Sequence, residues 1–384
     1  MARKKILLFI DWYLPGYKAG GPIRSTSNVV ERLKDEFEFK IVTCNTDLED
    51  STPYPDIEPD QWISTTQGTM VYYFSSKKPS TKAVSRIIQQ EKPDIVYLNS
   101  MYSIPFTLNP LRVTKNLFPK TKIVIAPRGM LSPGALLMKP FRKRLFLIFA
   151  RSVGWFDNIT WHASSITEKQ EIINVFGSKA AVTVANNLTK LKNIISHTRI
   201  KTKGKMKLIY IARVSPVKNL LQCLKLLSKI DSTLQIEYDI YGTIDDHDYM
   251  SSCKKLISRL PENIKVEFKG TIENDLLGEV IRNYHFLFHL TLNENFGHSI
   301  FESLSEGCPV IISDQTPWKG LEKKLAGWDL SLDDNEGIIE KLKLAAEMNQ
   351  DTYDIWSNGA YTLASEVLKN NDTELQNREL FRNA

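Results

Sequence analysis

Short apolar runs typical of buried strands recur along this chain, and a segment with helical character follows most of them. Strands are predicted near residues 4–10, 39–43, 70–74, 94–98, 122–126 and 159–163, and again near 207–212, 234–241, 264–268, 286–290 and 308–312. Alternating strands and helices indicate parallel sheets that are covered by helices on both faces. Because 384 residues exceed one typical core, we expect two such α/β domains.

The predicted division places one Rossmann-like domain over residues 1–198 and another over 206–350. The polar, basic segment 199–205 is interpreted as a linker, and the tail 351–384 is predicted to be helical. Ligands of open α/β sheets bind beyond the carboxyl ends of the strands. We therefore expect the functional site there, in a cleft between the domains.

Two carboxylates, Glu294 and Glu302, lie eight positions apart at a predicted turn from strand to helix. Eight residues are a little over two helical turns, so both acids are predicted on one helix face, about 12 Å apart. Gly297 lets the backbone approach a ligand closely, and the amides of a first helical turn suit an anion. Such a site suits a ligand with hydroxyl groups at both ends and phosphate between them, as in a nucleotide sugar. The alternative is an amphipathic helix with two solvated acids.

Two cations occupy a comparable position earlier in the chain. Arg213 ends the predicted strand 207–212, and Lys218 opens the next helix. This placement can direct both cations at one point, although Arg213 could instead form a surface ion pair.

Several segments of the chain occur in the order found in the family 4 (group 1) glycosyltransferases. They are residues 19–22, 126–131, 162–165 with Glu168, Arg213 with Lys218, 294–302 and 313–318. The chain resembles that family, in particular its bacterial surface-polysaccharide branch. The resemblance implies a GT-B fold, with two Rossmann-like, doubly wound parallel-sheet domains facing a central cleft and the last helices crossing back to the first domain.

The resemblance implies a hexosyltransferase-type enzyme (EC 2.4). Such an enzyme moves a sugar from a nucleotide-diphosphate donor to a lipid-linked or nascent glycan acceptor in surface polysaccharide biosynthesis, with retention of configuration. Glu294 would touch the transferred sugar and Glu302 the ribose, while Arg213 and Lys218 would stabilise the leaving phosphate; Glu294, Arg213 and Lys218 are the predicted catalytic residues. The other expected donor-binding residues are Asn295, Phe296, Gly297, His298, Ser299, Ile300, Tyr241 and Gly242, and the acceptor-side residues are Gly20, Gly21, Asn99 and Arg128. No local residue suggests itself as a nucleophile, so we expect front-face attack by the acceptor hydroxyl.

The chain departs from the family pattern at residues 95–102, where the family often has a histidine and this sequence has none. Asn99 could replace its hydrogen bonds, or the protein could be a non-catalytic partner subunit that docks on membranes. A nucleotide-sugar epimerase or phosphorylase of the same fold is a further alternative. Arg128 could face the acceptor or brace its domain through a nearby acid, and His162 could be a buried strand histidine.

A metal site is the competing interpretation of residues 245–248, which contain Asp-x-Asp. Carboxylate oxygens suit divalent cations. In the resembled family, however, the preceding segment 239–242 lines the nucleotide-base pocket, and Arg213 and Lys218 would already serve the phosphates. We therefore expect neither a metal nor another cofactor, with the nucleotide sugar as a substrate.

The charge is distributed unevenly: residues 1–200 carry 28 Lys and Arg against 16 Asp and Glu, and no acid occurs between Asp94 and Asp157. Within that stretch the basic residues Lys139, Arg142, Lys143 and Arg144 are interleaved with apolar ones. The pattern predicts a basic amphipathic helix that could lie on an anionic inner membrane, or else a core helix with a basic edge. No nucleic-acid motif accompanies the charge, so nucleic acid is not an expected partner.

The expected location is the cytoplasm, with peripheral contact to the inner face of the plasma membrane through that helix. No apolar stretch approaches the length of a membrane span. The four cysteines fall in different predicted elements, which fits reduced thiols.

Overall fold

The computed structural model describes residues 3–65, 68–137, 140–192 and 194–384. Lys139, one of the basic residues predicted to face a membrane, lies outside the described residues. The chain forms two compact units, the first made of Met1–Leu191 with Asn371–Ala384 and the second of Lys192–Asn370. Each unit contains its own, largely parallel sheet.

The first unit contains eight strands in its described residues. They are β1 (Lys5–Phe9), β2 (Glu38–Cys44), β3 (Trp62–Ser64), β4 (Met70–Phe74), β5 (Ile95–Leu98), β6 (Lys122–Ile125), β7 (Thr160–Ala163) and β8 (Ala181–Val184), in the spatial order β3-β4-β2-β1-β5-β6-β7-β8. Its helices are α1 (Gly21–Leu33), α2 (Thr81–Glu91), α3 (Asn109–Leu117), α4 (Pro133–Leu137), α5 (Pro140–Ser152) and α6 (Ile166–Phe176), and a π-helical turn (Ile104–Leu108) precedes α3. Only β3 runs antiparallel to its neighbour among these described strands.

The second unit has a six-stranded parallel sheet. Its strands are β9 (Lys205–Ile211), β10 (Gln235–Tyr241), β11 (Ile264–Gly270), β12 (Phe286–His289), β13 (Val310–Ser313) and β14 (Gly327–Leu330), in the order β11-β10-β9-β12-β13-β14. The helices are α7 (Leu220–Leu227), α8 (His247–Ile257), α9 (Leu277–Ile281), α10 (His298–Ser305), α11 (Asn335–Glu347) and α12 (Gln350–Lys369), with 3-10 turns at Pro216–Lys218 and Glu322–Lys324.

Helices cover both faces of each sheet, and this burial explains why the central strands are almost wholly apolar. In β9, Leu208 and Tyr210 belong to one apolar cluster, whereas Ile209 and Ile211 belong to another. Alternate residues of a strand point to opposite faces, so a strand that is buried on both faces needs an apolar residue at every position. The predicted α/β architecture is confirmed.

The last helix, α13 (Asp372–Arg382), packs within the first unit although it ends the chain. Its Phe381 is fully buried and makes edge contacts with the rings of Phe37, Phe39 and Tyr97. Aromatic pairs in this arrangement add stabilisation beyond the apolar area that they bury. The first unit is therefore assembled from the two ends of the chain.

Three strands were not predicted from the sequence, namely β3, β8 and β14. Each lies at an edge of its sheet. Edge strands pack against fewer neighbours and are only partly buried, as the burial of β3 and β8 shows. Their apolar pattern is correspondingly weak.

The segment interpreted as a linker contains two buried cations. The Arg199 guanidinium donates to the Gly307 carbonyl at 2.9 Å, just beyond the end of α10. The Lys201 ammonium donates to the carbonyls of Ala346 and Met348 at 2.7 and 3.0 Å, at the end of α11. The last carbonyls of a helix lack partners within it and carry partial negative charge, so they bind cations well. This basic stretch is therefore packed onto the second unit.

Candidate functional site

The ends of β9 and β10 lie unusually close together at the carboxyl edge of the second sheet. A Cβ atom at Gly242, which follows β10, would lie 1.9 Å from the carbonyl oxygen of Ala212, which follows β9. The amide of Val214 donates to the Thr243 carbonyl at 2.7 Å, which joins the two loops beyond the strands. Only glycine fits at position 242, because the neighbouring atom is rigid backbone.

Arg213 lies in this loop and forms an ion pair. Its Nη1 atom lies 2.6 Å from Oδ2 of Asp245, and about half of its side chain is exposed. The neighbouring Asp246 accepts a hydrogen bond from the Tyr249 amide and caps α8. Two carboxylates of the Asp-x-Asp region therefore already have protein partners.

Lys218 and Glu294 form the most enclosed ion pair of the candidate site. Lys218 Nζ lies 2.6 Å from Glu294 Oε2, and the two side chains are 17% and 20% exposed. The hydroxyl of Tyr210 lies 3.4 Å from the Arg213 carbonyl and 3.2 Å from the Lys218 carbonyl. Both cations thus extend from backbone that surrounds one buried tyrosine.

Hydrogen bonds join the loops that carry Lys218 and Glu294 to each other and to the loop that follows β13. Asn219, with a left-handed φ of 55°, donates from its side chain to the Leu290 carbonyl at 2.9 Å. The Leu292 amide donates to the Val217 carbonyl at 2.8 Å. The Glu294 amide donates to the Gln315 carbonyl at 3.0 Å, beyond β13. The loops after β9, β12 and β13 therefore converge on the ion pair.

The pKa of the Glu294 carboxyl reflects two opposing effects. Burial acts to raise this pKa, while the charge and the hydrogen bond of Lys218 act to lower it. The lowering prevails, so the pKa of Glu294 lies below its ordinary value. Glu294 is therefore an anion at neutral pH.

The predicted placement of both acids on one helix face is wrong. Helix α10 begins at His298, so Glu302 lies on the helix, whereas Glu294 lies in the loop four residues before it. Gly297 caps the helix with a left-handed φ of 81°, and a Cβ there would lie 2.7 Å from Cδ1 of Ile300. That conformation ends the helix on its amino side, since it cannot occur within a right-handed helix.

The segment between Glu294 and Glu302 is held by contacts with Trp318, which follows β13. The Phe296 carbonyl accepts a hydrogen bond from the indole of Trp318, and the two rings pack edge to face. The His298 ring also packs against Phe296, with 4.9 Å between the ring centroids. The stretch 313–318 thus holds the loop that leads from Glu294 into α10.

The remaining predicted donor-side residues differ in exposure. Asn295, Phe296, His298, Ser299 and Glu302 are partly exposed, whereas the side chain of Ile300 is buried in the core. The Ile300 amide donates to the Gly297 carbonyl at 3.0 Å, so this amide is already engaged. Tyr241 packs against Tyr284, with 3.2 Å between their hydroxyl oxygens.

The structure also places His289 beside the ion pair. It is buried and its ring lies 5.0 Å from that of Tyr210. Burial, with a smaller contribution from the Lys218 charge, lowers the pKa of His289 to about 3. The imidazole is therefore neutral, and Lys218 is the cation that faces Glu294. A histidine at the end of a buried strand gives no sequence indication of such a neighbour.

In the first unit, Arg128 lies at the centre of a hydrogen-bonded network at the carboxyl edge of the sheet. Its Nη2 atom donates to the Tyr97 hydroxyl at 2.9 Å and to Asn99 Oδ1 at 2.8 Å. Its Nη1 atom donates to Asn187 Oδ1 at 2.8 Å. These three partners are uncharged. The structure therefore brings together Arg128 and Asn99, two of the predicted acceptor-side residues.

His162 orients this network through a hydrogen bond with Tyr97. Its Nε2 atom lies 2.8 Å from the Ala185 carbonyl, and its Nδ1 atom lies 2.7 Å from the Tyr97 hydroxyl. Because a carbonyl only accepts, Nε2 carries the proton, and Nδ1 accepts from Tyr97. The Tyr97 oxygen is thereby left to accept from Arg128. Burial, and then the Arg128 charge, lower the pKa of His162 to about 3, which keeps the ring neutral.

Two of the resembled sequence segments meet at Glu168. Its carboxylate accepts from the Gly129 amide at 2.5 Å and from the Ser164 amide at 2.7 Å. Arg128, with a left-handed φ of 55°, is thus followed by backbone that an acid holds in place. The predicted glycines Gly20 and Gly21 lie at the start of α1, whose Thr26 hydroxyl is 3.4 Å from Asn99 Oδ1.

Comparison with known protein families finds a similarity in the second unit. Residues 192–362 match the family described as glycosyl transferases group 1. No sequence among the curated proteins matches the chain. The family match spans most of the second unit.

Solved structures show the same fold over almost the whole chain. The Anabaena protein HepE, in complex with UDP and glucose, is 17% identical with a TM-score of 0.68, and 99% of each chain is covered. Sucrose-phosphate synthase from Thermosynechococcus elongatus is 13% identical with a TM-score of 0.70, also with 99% of each chain covered. WaaG, a glycosyltransferase involved in lipopolysaccharide biosynthesis, is 12% identical with a TM-score of 0.64 and 98% coverage of each chain. The fold is that of the GT-B glycosyltransferases, as predicted.

Substituting Tyr97→Phe should destabilise the protein. The change removes the hydroxyl that donates to His162 and accepts from Arg128, which leaves buried polar groups without partners at a cost of about 1–3 kcal/mol. Urea unfolding of the purified variants would measure the loss. Tyr102→Phe is the matched control, because the buried Tyr102 hydroxyl has no hydrogen-bond partner among the described residues. Equal effects of the two substitutions would contradict the role assigned to Tyr97.

The stability that Glu294 contributes should depend on pH. A carboxyl whose folded-state pKa is lowered stabilises the protein above the unfolded-state pKa, here about 4.5, and this contribution disappears as the pH falls through the folded-state value. The free energy of unfolding of the wild type relative to Glu294→Gln should therefore decrease on acidification from about pH 6 to about pH 3. Urea unfolding across that range would measure it, and a difference independent of pH would refute the assignment.

Proposed function

We propose that the protein transfers a hexose-type sugar from a nucleotide-diphosphate donor to a lipid-linked or nascent glycan in surface polysaccharide biosynthesis. The ion pair between Lys218 and Glu294 at the carboxyl edge of the second sheet is the observation that carries this proposal. It joins a cation suited to a phosphate with an anion suited to sugar hydroxyls. The UDP and glucose bound to HepE support a nucleotide sugar as the ligand of this fold.

Breaking the bond between sugar and diphosphate develops positive charge on the ring and negative charge on the departing phosphate. Preorganised charge aimed at these positions is the main contribution that a protein can make. Lys218 and Arg213 would stabilise the phosphate, and the amino end of α10 would add about 0.3–1 kcal/mol. Arg213 would exchange its pairing with Asp245 for the phosphate oxygens.

Glu294 suits the sugar side of this reaction. Because its pKa is lowered, it is ionised and acts as a hydrogen-bond acceptor and a negative charge rather than as an acid. In this role it accepts from sugar hydroxyls and stabilises positive charge on the ring. Glu302, on the first turns of α10, would accept from the ribose hydroxyls.

Transfer proceeds with retention in this proposal. The acceptor hydroxyl attacks the face from which the phosphate departs and gives its proton to a departing phosphate oxygen. No metal takes part, since the two cations neutralise the diphosphate and the carboxylates of Asp245 and Asp246 already have partners. A lipid-linked acceptor is held at a bilayer, so the proposed location is the cytoplasmic side of the plasma membrane, in peripheral contact with its inner face.

The direct test is an assay of the full-length protein with UDP-, GDP-, ADP- and CDP-sugars and a bacterial lipid extract as the acceptor source. We expect label to move from one donor into the lipid or glycan fraction, with the anomeric configuration unchanged by NMR, and activity to survive excess EDTA. Turnover without acceptor would favour an epimerase or phosphorylase. Nucleotide binding without turnover would favour a non-catalytic subunit. A trapped glycosyl-enzyme would contradict front-face attack, and metal-restored activity after EDTA would contradict metal independence.

Lys218→Met should reduce the transfer rate by about 10²–10³, as the loss of one preorganised donor to a developing anion does elsewhere. Lys207→Met is the matched control, because Lys207 forms an exposed ion pair with Glu237 in the same unit. The rate measured with saturating donor should be unchanged in the control. Similar rates for the wild type and Lys218→Met, with both folded by circular dichroism, would rule out the role of Lys218.

A further inference from the structure

Strand β11 leaves one side of its backbone unpaired. It lies at the end of the second sheet, where β10 is its only neighbour among the described strands. The Ile236 amide of β10 donates to the Asn263 carbonyl, just before β11, at 2.9 Å. Successive residues of a strand direct their backbone groups to opposite sides, so the amide and carbonyl of Val266 and the amide of Phe268 face away from β10. No other backbone segment of the described chain donates to or accepts from these groups.

Most side chains along this edge are exposed. Lys265, Glu267 and Lys269 lie on one face of the sheet, and all three are exposed. Val266 and Phe268 lie on the other face, where Phe268 is 36% exposed and Val266 packs partly against the apolar core. An open sheet edge is a template on which a strand of another chain can pair. The side chains then decide which strand fits.

On the charged face, opposite charges alternate from strand to strand and end at Lys265. Lys207 of β9 lies beside Glu237 of β10, and 3.4 Å separate Nζ from Oε2. Glu237 lies beside Lys265 of β11 in the register of the sheet. Within the described residues no acid forms an ion pair with Lys265. The row therefore ends in a cation that faces solvent at the sheet edge.

Glu267 lies two residues further along the same edge, in acidic surroundings. It is the neighbour of Asp239 on β10. The Lys269 ammonium pairs closely with Glu267 and also lies 3.7 Å from Asp239 Oδ2. Two acids thus share one cation, and Glu267 remains 65% exposed. The edge therefore offers an unpaired cation and a partly compensated anion on alternate residues.

We propose that a second copy of this chain pairs with β11, antiparallel to it and around a two-fold axis at Val266. Each Lys265 then lies opposite Glu267 of the second copy, in the position where facing side chains are closest. Each Phe268 lies opposite Ile264, which extends the apolar face across the contact. The Val266 amide and carbonyl bond to the same groups of the second copy, and the Phe268 amide donates to the Ile264 carbonyl. The two six-stranded sheets become one continuous sheet.

The two-fold axis makes this strand its own complement, because it pairs residue i with residue j and residue j with residue i. One cation and one anion thus give two ion pairs. An axis at Glu267 would instead set Glu267 against itself and Lys265 against Lys269, and like charges directly opposite are unfavourable. An axis at Phe268 would carry the contact into the stretch where β10 and β11 lose their regular register. Charge and regularity therefore place the axis at Val266.

Sedimentation equilibrium of the full-length protein tests the proposal independently of the proposed sugar transfer, in which no residue of β11 takes part. We expect a monomer–dimer equilibrium that weakens as salt rises from about 0.1 M to about 0.5 M. Lys265→Glu or Glu267→Lys alone should weaken the dimer about tenfold or more, because each turns two attractive contacts into two repulsive ones. Lys265→Glu combined with Glu267→Lys should restore the dimer, because every new acid then faces a new base.

Matched variants elsewhere in the second unit control for net charge and exposure. Lys324 and Glu366 form an exposed ion pair 3.6 Å apart, and Lys324→Glu or Glu366→Lys should leave the equilibrium unchanged. Val266→Cys should form a disulfide-linked dimer on mild oxidation with copper phenanthroline, since paired Cα atoms about 5.5 Å apart suit a disulfide. The four natural cysteines are buried, and Thr352→Cys, at an exposed position of α12, should stay unlinked.

Urea unfolding should show that every variant is folded, and the cross-linking result decides the proposal even where a charge variant fails to fold. A protein that stays monomeric at every soluble concentration would overturn the proposal. So would a dimer that charge reversal on β11 leaves unchanged, or a double variant that associates no more tightly than the single ones. Equal cross-linking at positions 266 and 352, or equal weakening by the control reversals, would also overturn it.

Discussion

The ion pair between Lys218 and Glu294 depends on the convergence of parallel strands at one sheet edge. Lys218 follows β9, Glu294 follows β12, and the Gln315 carbonyl that receives the Glu294 amide follows β13. Because parallel strands all end on the same side, loops that are far apart in sequence meet there. Neither side chain is more than 20% exposed, so each charge is stabilised chiefly by the other. The pKa of Glu294 is lowered because the charge and the hydrogen bond of Lys218 outweigh the effect of burial.

The first unit places a cation at the corresponding sheet edge by different means. Arg128 is held by the oxygens of Tyr97, Asn99 and Asn187, all of them neutral, rather than by a carboxylate. His162, which is hydrogen-bonded to Tyr97, is buried and neutral, so it orients the network without adding charge. None of these three partners carries a negative charge that would offset that of the guanidinium. The second unit instead pairs Lys218 with Glu294 and Arg213 with Asp245.

The strands in the middle of each sheet could be predicted from sequence because burial on both faces demands nearly continuous apolar residues. The argument is weaker at the edges, where β3, β8 and β14 were missed although the edge strand β11 was predicted. Residues 199–205 were interpreted as a linker from their polar, basic composition. Within them, Arg199 and Lys201 are buried because helix-end carbonyls bind them. Which carbonyls lie nearby is a property of the tertiary fold.

The sequence by itself determined that two largely parallel α/β sheets form, and that Arg213, Lys218 and Glu294 lie just beyond strand ends. These features follow from local patterns, since apolar periodicity and turn residues act over a few positions. Only the tertiary structure decided the partners: Lys218 with Glu294, Arg213 with Asp245, and Arg128 with three neutral oxygens. It also decided that α10 starts at His298, after a left-handed glycine, and that α13 packs in the first unit. Contacts between distant segments depend on how whole elements pack, and one stretch of sequence does not encode that packing.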